Sequence, residues 1–323
     1  MHHLPSGAIL LPSLLFAFGG HTIHAEEFAL RDAPGTSLDI LQNDRIIARY
    51  VYKHDVSTPA ARLEAYKPYL HVFDAGGHAP ITKGAGGYST HHRGIFIGWN
   101  KISANGKSYD RWHMQGGDQI HEKFLAQSAT KDRATFTSLV RWTGGTQDST
   151  LIEEERTLTV LPAPPPGYAL IEMTSKLKAV AGETVLGGDP EHAGLHFRPA
   201  DEIERSATTY LYPRENAAPH KDRDYPWFGE SFTVGGNRYS VIYLNHSSNP
   251  KGAAISAYRD YGRFGAYFSM TIPAGGAQTI RARFLIVAGE FPTAEMIQQA
   301  WNEYADASEP TPRTTVKPAE VGK

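Results

Sequence analysis

Apolar and polar residues alternate in short runs along most of this chain, and glycine, proline or Asn-Asp pairs separate the runs. That is the pattern of half-buried strands joined by tight turns. Leu38 to Tyr52 reads as a hairpin turning at Asn43-Asp44. Leu63 to Phe73 reads as an edge or bulged strand, because Pro68 cannot donate to a ladder. Arg93 to Trp99 has strand composition, and Ser103 to Lys107 is a turn. Thr135 to Trp142, Leu151 to Leu161 and Tyr168 to Val180 are further strands, the last two joined by a proline-rich hairpin tip at 162–167. In the middle strand, alternation sends Glu153 and Glu155 to one face, read as solvated, and Glu154 to the other. Two more hairpins are expected. Ser231 to Thr233 and Arg238 to Leu244 flank Gly235-Gly-Asn237, and Gly265 to Ile272 and Thr279 to Val287 flank Ala274-Gly-Gly276.

Only residues 292–307 carry a helical period. Thr293 caps them, and Met296, Ile297, Ala300, Trp301 and Tyr304 form one stripe that should pack on the strands. Residues 308–323 have little to bury and read as a disordered tail. Residues 1–25 read as a secretory signal: Ala8 to Gly19 is a short apolar run and Ala25 a cleavage residue, although the start lacks Lys and Arg. No repeat of 20–50 residues is visible, which disfavours a propeller. The expectation is an all-β fold: one large antiparallel two-sheet β-sandwich over 26–291 with a C-terminal helix.

Composition narrows the class. The chain has 323 residues, 41% of them hydrophobic, enough for a sizeable core. A net charge of −2 gives no basic balance for nucleic acid. Apart from the leader there is no apolar run approaching the ~20 residues of a membrane span. Cysteine is absent, so there is no disulfide, thiolate ligand or thiol nucleophile. Nucleotide-binding loops and serine-hydrolase elbows are also missing.

Candidate chemistry gathers in Gly86 to Phe124, which holds His91, His92, His113, His121, Arg93, Arg111, Trp99, Tyr109 and Trp112. A second stretch, Gly187 to Arg198, adds Asp189, Glu191, His192, His196 and Arg198. Histidine transfers protons near neutral pH. His91, His92 and His113 are therefore the acid/base candidates, with His196 and His246 behind them and Glu191 as a carboxylate partner. In an extended segment His91 and His92 would point to opposite faces, so one should face the site and the other the wall. Arg93, Arg198 and Arg259 would hold an acidic group by planar, paired donors. Trp99, Trp112 and Trp227 would stack on sugar rings. No cofactor is implied firmly; a divalent metal on Asp189, Glu191, His192 and His196 is an open alternative.

Several motifs are similar to those of the bacterial family labelled "methane oxygenase PmoA-like". There Asp-His-Pro-His-His-Arg-Gly precedes a strand; here Thr90-His91-His92-Arg93-Gly94 keeps the second half, with Tyr88 and Ser89 in place of Asp and His. Further similar motifs are Gly194 to Arg198, Asn245 to Pro250, and Tyr258-Arg259-Asp260-Tyr261-Gly262, within a match from Leu63 to Gly289. Asn249 and Tyr261 join the expected substrate contacts on this basis. The resemblance implies a secreted or periplasmic β-sandwich protein acting on carbohydrates, without an established reaction. By analogy of fold alone, a sandwich like the galactose-mutarotase supersandwich is one form this could take. The leading expectation is a carbohydrate-active enzyme using histidine acid/base chemistry on a glycan or an acidic or keto sugar, as a lyase or hydrolase. Hydrolysis needs two placed acids, and only Glu191 and Asp260 lie near the motifs, which tilts the reading toward elimination or another proton transfer. The alternatives are a non-catalytic carbohydrate-binding protein and a metal-dependent oxygenase.

Overall fold

The strand alternation read from the sequence becomes alternating burial. Along Ala134–Thr143, inward residues such as Phe136, Val140 and Trp142 are buried and their neighbours half-buried. The computed structural model describes residues 1–2, 27–145 and 149–321. The expected leader therefore lies, beyond its first two residues, outside the described part. Two large antiparallel sheets enclose one apolar core. The first has eight strands, in the order Phe28–Ala33, Ser37–Gln42, Arg45–Val51, Tyr69–Val72, Ile95–Trp99, Ala193–Phe197, Phe264–Tyr267 and Ala254–Ala257. The second has nine, in the order Thr315–Pro318, Thr209–Tyr212, Trp227–Val234, Asn237–Asn245, Ala277–Ala288, Gly167–Ala179, Thr150–Leu161, Ala134–Thr143 and Gln119–Ala129. A small sheet of Met270–Ile272, Thr184–Gly187, Lys101–Ala104 and Lys107–Tyr109 closes one side. Trp99 of the first sheet meets Trp142 of the second at 6.0 Å between ring centroids.

An ion pair is built into this core. Glu154 points inward, as alternation requires, and accepts from Arg156, Ser175 and Trp142 at 2.8–2.9 Å. Both members of the ion pair are buried, and Arg156 also donates to the Pro68 carbonyl at 3.1 Å. A buried carboxylate needs this full set of donors.

Four expectations change. Leu63 belongs to a short helix, α1 (Pro59–Ala65), whose N-cap Thr58 accepts from the Ala61 amide at 3.0 Å. The strand that follows, Tyr69–Val72, begins after Pro68 and is internal rather than at an edge. The Ala274-Gly-Gly276 turn does not make a hairpin, because Met270–Ile272 pairs with Thr184–Gly187 while Ala277–Ala288 pairs with Gly167–Ala179 and Asn237–Asn245. The tail is ordered: Thr315–Pro318 pairs with Thr209–Tyr212, and Glu320 bridges to Arg259. Its ladder needs backbone groups rather than apolar side chains, so composition could not signal it. The second helix, α2 (Ala294–Ala305), forms where the period placed it. Ile297 and Trp301 pack on Trp227, Ile242, Leu244 and Leu285, while Met296 falls outside the buried stripe.

The outer face of the eight-stranded sheet positions the site. Ile95, Ile97 and Trp99 face the core, as do Ala193, Leu195 and Phe197, so Phe96, Gly98, Gly194 and His196 face outward. Loops lie directly on this face. A Cβ at Gly98 would collide with the Arg111 carbonyl, and one at Gly265 would stand 2.5 Å from the His196 ring. The Arg111 amide also bonds the Trp99 carbonyl at 2.8 Å. Gly98→Ala should therefore lift the 110–113 loop and destabilise the fold by about 1–3 kcal/mol. Equilibrium urea denaturation reads this as a lowered midpoint with an unchanged slope.

Candidate active site

A cavity of about 590 Å³ opens on that outer face and is lined by the loops at 88–92, 113, 191–192, 198–205 and 261–263. Two arginines build its walls from behind. Arg93 is fully buried and donates to the carbonyls of Thr90 (2.9 Å), Glu64 (2.8 Å) and Leu63, so it ties the His91-His92 turn to the end of α1. Arg111, also fully buried, donates to the Thr143 and Gly144 carbonyls at 2.8 Å and to Gln115 at 3.1 Å, which holds the loop bearing His113. Neither lines the cavity. Arg93 is a structural clamp rather than the substrate ligand expected from its motif.

Four imidazoles form a continuous row on the cavity wall. Ring centroids are 4.1 Å apart from His92 to His91, 4.6 Å from His91 to His113, and 5.2 Å from His113 to His192. His91 and His92 both reach the cavity, contrary to expectation, because 88–91 is a turn closed by the His92 amide on the Ser89 carbonyl at 2.9 Å, not an extended strand. His113 and His192 share one local design. In Asp110-Arg-Trp-His113 the aspartate accepts from the His113 ring Nδ1 at 2.7 Å and from the amides of Trp112 (2.9 Å) and His113 (2.7 Å). In Asp189-Pro-Glu-His192 the aspartate accepts from His192 Nδ1 at 2.9 Å and from the Glu191 amide at 2.9 Å. Burial opposes the charge of Asp110, but the bonds from His113 and the two amides prevail and hold its carboxyl below the usual range. A carboxylate only accepts, so each imidazole keeps its proton on Nδ1 and leaves Nε2 as a base.

His92 is different. Arg198 Nη2 is 2.9 Å from His92 Nδ1, and because a guanidinium can only donate, the proton of His92 must sit on Nε2. That Nε2 is buried without a partner. His92 is thus a fixed donor rather than a base. Burial, with Arg198 next in weight, lowers its pKa far below the ordinary value. Burial also lowers His91, to about 2, so both rings stay neutral.

The far end of the cavity is cationic. The guanidiniums of Arg198, Arg263 and Arg205 lie 5.1, 5.4 and 5.9 Å from the centre of the Tyr261 ring. Glu191 meets Arg263 at 2.6 Å, Arg259 at 2.9 Å and the Tyr258 hydroxyl at 2.9 Å. Burial opposes its charge, yet these partners hold its carboxyl at about 2. Asp201 is ion-paired with Lys83.

The remaining expected site residues lie elsewhere. Trp99 donates to the Phe268 carbonyl at 2.8 Å inside the core. Trp112 is fully buried behind the histidines, against Phe96 and His196. Trp227 packs under α2 and donates to Gln298 at 2.8 Å. All three fill volume and none can stack on a ligand; Tyr88 and Tyr261 are the aromatic residues that line the cavity. His196 is fully buried, with Nε2 on the Ala193 carbonyl at 2.9 Å, and has no route to substrate. His246 accepts from Ser248 and lines a different hollow beside Trp301. Asn249 bonds Asn245 at 2.7 Å and the Arg281 amide at 2.8 Å, clamping backbone. Arg259 reaches the site only through Glu191. Asp189, Glu191, His192 and His196, weighed as metal ligands, do not converge, and no group of three His, Asp or Glu side chains among the described residues is placed to hold a metal.

Sequence reading passed over the two Asp-x-x-His turns, although their spacing was visible: an aspartate three residues before a histidine can cap the turn and the ring together. It also passed over Arg205 and Arg263, which no local pattern marks.

The buried and half-buried histidines make stability pH-dependent. Burial is the first cause of the depressed values of His71 and His121, both near 4, and of His91, His92 and His196. Each has an ordinary value of 6.5, so below that pH the unfolded chain binds more protons and stability falls as pH drops. A fully buried histidine costs roughly 2 kcal/mol of stability at pH 5. Denaturation midpoints at pH 7.5, 6 and 5 should fall in that order, and His196→Gln should flatten the trend.

No curated protein matches the chain in sequence. Solved structures overlap the chain at low similarity. A candidate aldose 1-epimerase from Klebsiella pneumoniae covers 85% of this chain and 84% of its own at 7% identity and a TM-score of 0.44. A candidate mutarotase (YeaD) from Salmonella typhimurium covers 81% and 94% at 7% identity and a TM-score of 0.34. At these scores the likeness lends nothing to the chemistry. The described residues hold no helix long and apolar enough to cross a membrane. A family model matches residues 37–302, without the PmoA-like label that the motifs suggested. The chain belongs to that family, DUF6807, a family of unknown function.

Proposed function

We propose that this protein is a carbohydrate-active enzyme that moves protons on a small sugar, with His113 and His192 as its paired acid and base. The observation that carries this reading is the pair of Asp-x-x-His turns. Each fixes an imidazole tautomer, and the two rings stand side by side with centroids 5.2 Å apart on one cavity wall. Bases this close serve neighbouring atoms of one substrate. One Nε2 takes a proton from a C–H or O–H, and the freed electron pair forms a C=C or C=O bond. The other ring, protonated, gives its proton to the oxygen whose bond breaks. The reaction is then an isomerisation or an elimination. Hydrolysis by two carboxylates fits less well: Glu191 and Asp201, the carboxylates lining the cavity, are both ion-paired, and Glu191 cannot carry an acid proton at neutral pH.

The sugar class rests on the lining. The lining residues are mostly polar, with Pro199 and Ile203 the aliphatic ones, and the cavity volume suits one or two sugar rings. We also propose export, from the apolar leader. Mass spectrometry of protein recovered outside the cytoplasm should find Glu26 as the first residue.

The test is incubation of the protein in D2O with neutral aldoses, ketoses, hexuronates and their short oligomers. NMR would follow deuterium uptake and anomer exchange, and ultraviolet absorbance would follow unsaturated products. One substrate should react, and His113→Ala or His192→Ala should slow it by about 10²–10⁴-fold. Asp110→Asn should slow it too, by losing the tautomer, while the fold is kept. A panel in which sugars bind but no proton exchanges and no product forms would replace the enzyme reading with a carbohydrate-binding one.

A further inference from the structure

We infer that the sugar this site takes is anionic, and that its carboxylate or phosphate seats between Arg198 and Arg205 over the Tyr261 ring. The inference rests on the proposed sugar-binding role and names the substrate class.

Arg198 is the reason. It is 4% exposed and carries a permanent charge. One terminal nitrogen donates to His92, and the other, Nη1, is buried without a partner. Among the described residues no carboxylate lies within ion-pair distance of it. Glu230, the acidic group near it, is fully buried and accepts from the Tyr210 hydroxyl at 3.1 Å; burial raises its pKa to about 8, so it holds a proton at neutral pH. The other neighbours make matters worse or do nothing: Arg263 carries a like charge, and His92 is neutral. A lone buried cation is costly unless an anion arrives.

Two further donors face the same place. His92 Nε2 is a buried N–H with no acceptor, in the same cavity wall. Arg205 is exposed at the cavity rim, and among the described residues its charge meets the Tyr261 ring and no carboxylate within ion-pair distance. Arg263 differs in carrying an ion pair to Glu191 at 2.6 Å, although its Nε is also buried without a partner. Arg198 Nη1 and His92 Nε2–H are thus buried donors without a partner, Arg205 stands at the rim of the same cavity, and the two arginines lie 5.1 and 5.9 Å from the Tyr261 ring centre. A carboxylate or a phosphate satisfies all three; a hydroxyl offers a single oxygen without charge. The anion would lie at the His92 end of the imidazole row. The rest of the sugar would extend past His91 toward His113 and His192.

Isothermal titration of the whole protein with glucose, glucuronate, galacturonate and glucose 6-phosphate separates the cases. The anionic sugars should bind at least ~10-fold tighter than glucose, with the advantage shrinking as salt rises. Tighter binding of the hexuronates identifies a carboxylate ligand, and tighter binding of the hexose phosphate a phosphate. Arg205→Ala, an exposed change that should leave the fold intact, should erase most of the preference, and Arg205→Lys should restore part of it. His113→Ala should keep the preference, so a failure of the proton-transfer reading would not be mistaken for a failure of this one. Equal affinity for glucose, no binding of any of the four sugars, or an unchanged preference in Arg205→Ala would overturn the assignment.

Discussion

Everything in the site depends on loops lying flat against the outer face of a β-sheet. Such a face is ordinarily covered by side chains. Here Gly98 leaves room for the Arg111 carbonyl, and Gly265 leaves room for the His196 ring. Loops at that distance carry backbone carbonyls that must find donors. Arg93 and Arg111 supply them, each collecting three or more carbonyls from inside a turn. An arginine suits this because its five N–H groups spread in one plane and never lose their charge. Each stands next to, or two residues from, a histidine of the row, so the clamp and the reactive group share one loop.

The cavity then sorts its charged groups into two ends. At one, aspartates stand behind His113 and His192 and fix their tautomers. At the other, arginines crowd round Tyr261 with only Glu191 against them. Two neutral histidines, half-buried His91 and buried His92, separate the ends. This arrangement puts two imidazoles with fixed tautomers and a cluster of arginines on the walls of one cavity. It also explains why the histidines differ in role despite being neighbours: the partner of Nδ1 decides. A carboxylate makes Nε2 a base, and a guanidinium makes it a donor.

Reading the chain for motifs pointed to loops that line the cavity, and to several residues that do not reach it. Arg93 and Asn249 lie in recognisable motifs, yet both serve backbone carbonyls and amides. Trp99, Trp112 and Trp227 have the faces to stack on sugar, and all are used to fill the interior. A tryptophan has the same composition in either role, and only its neighbours decide. His196 and His246 went the same way, one sealed under Trp112, the other carried to a separate hollow by the opposite sheet.

The sequence by itself determined what depends on near neighbours. Alternation marked the strands and sent Glu154 inward, paired turn residues placed most hairpins, and a capped apolar stripe placed α2. Those features rest on contacts within a few residues, which order along the chain records. The tertiary structure alone decided what depends on long-range approach. The 274–276 turn joins different sheets, the tail pairs as a strand, and Arg198 is buried without a counter-charge because Glu230, His92 and Arg263 arrive from distant parts of the chain. Burial and charge pairing are properties of that assembled neighbourhood, and no local pattern encodes them.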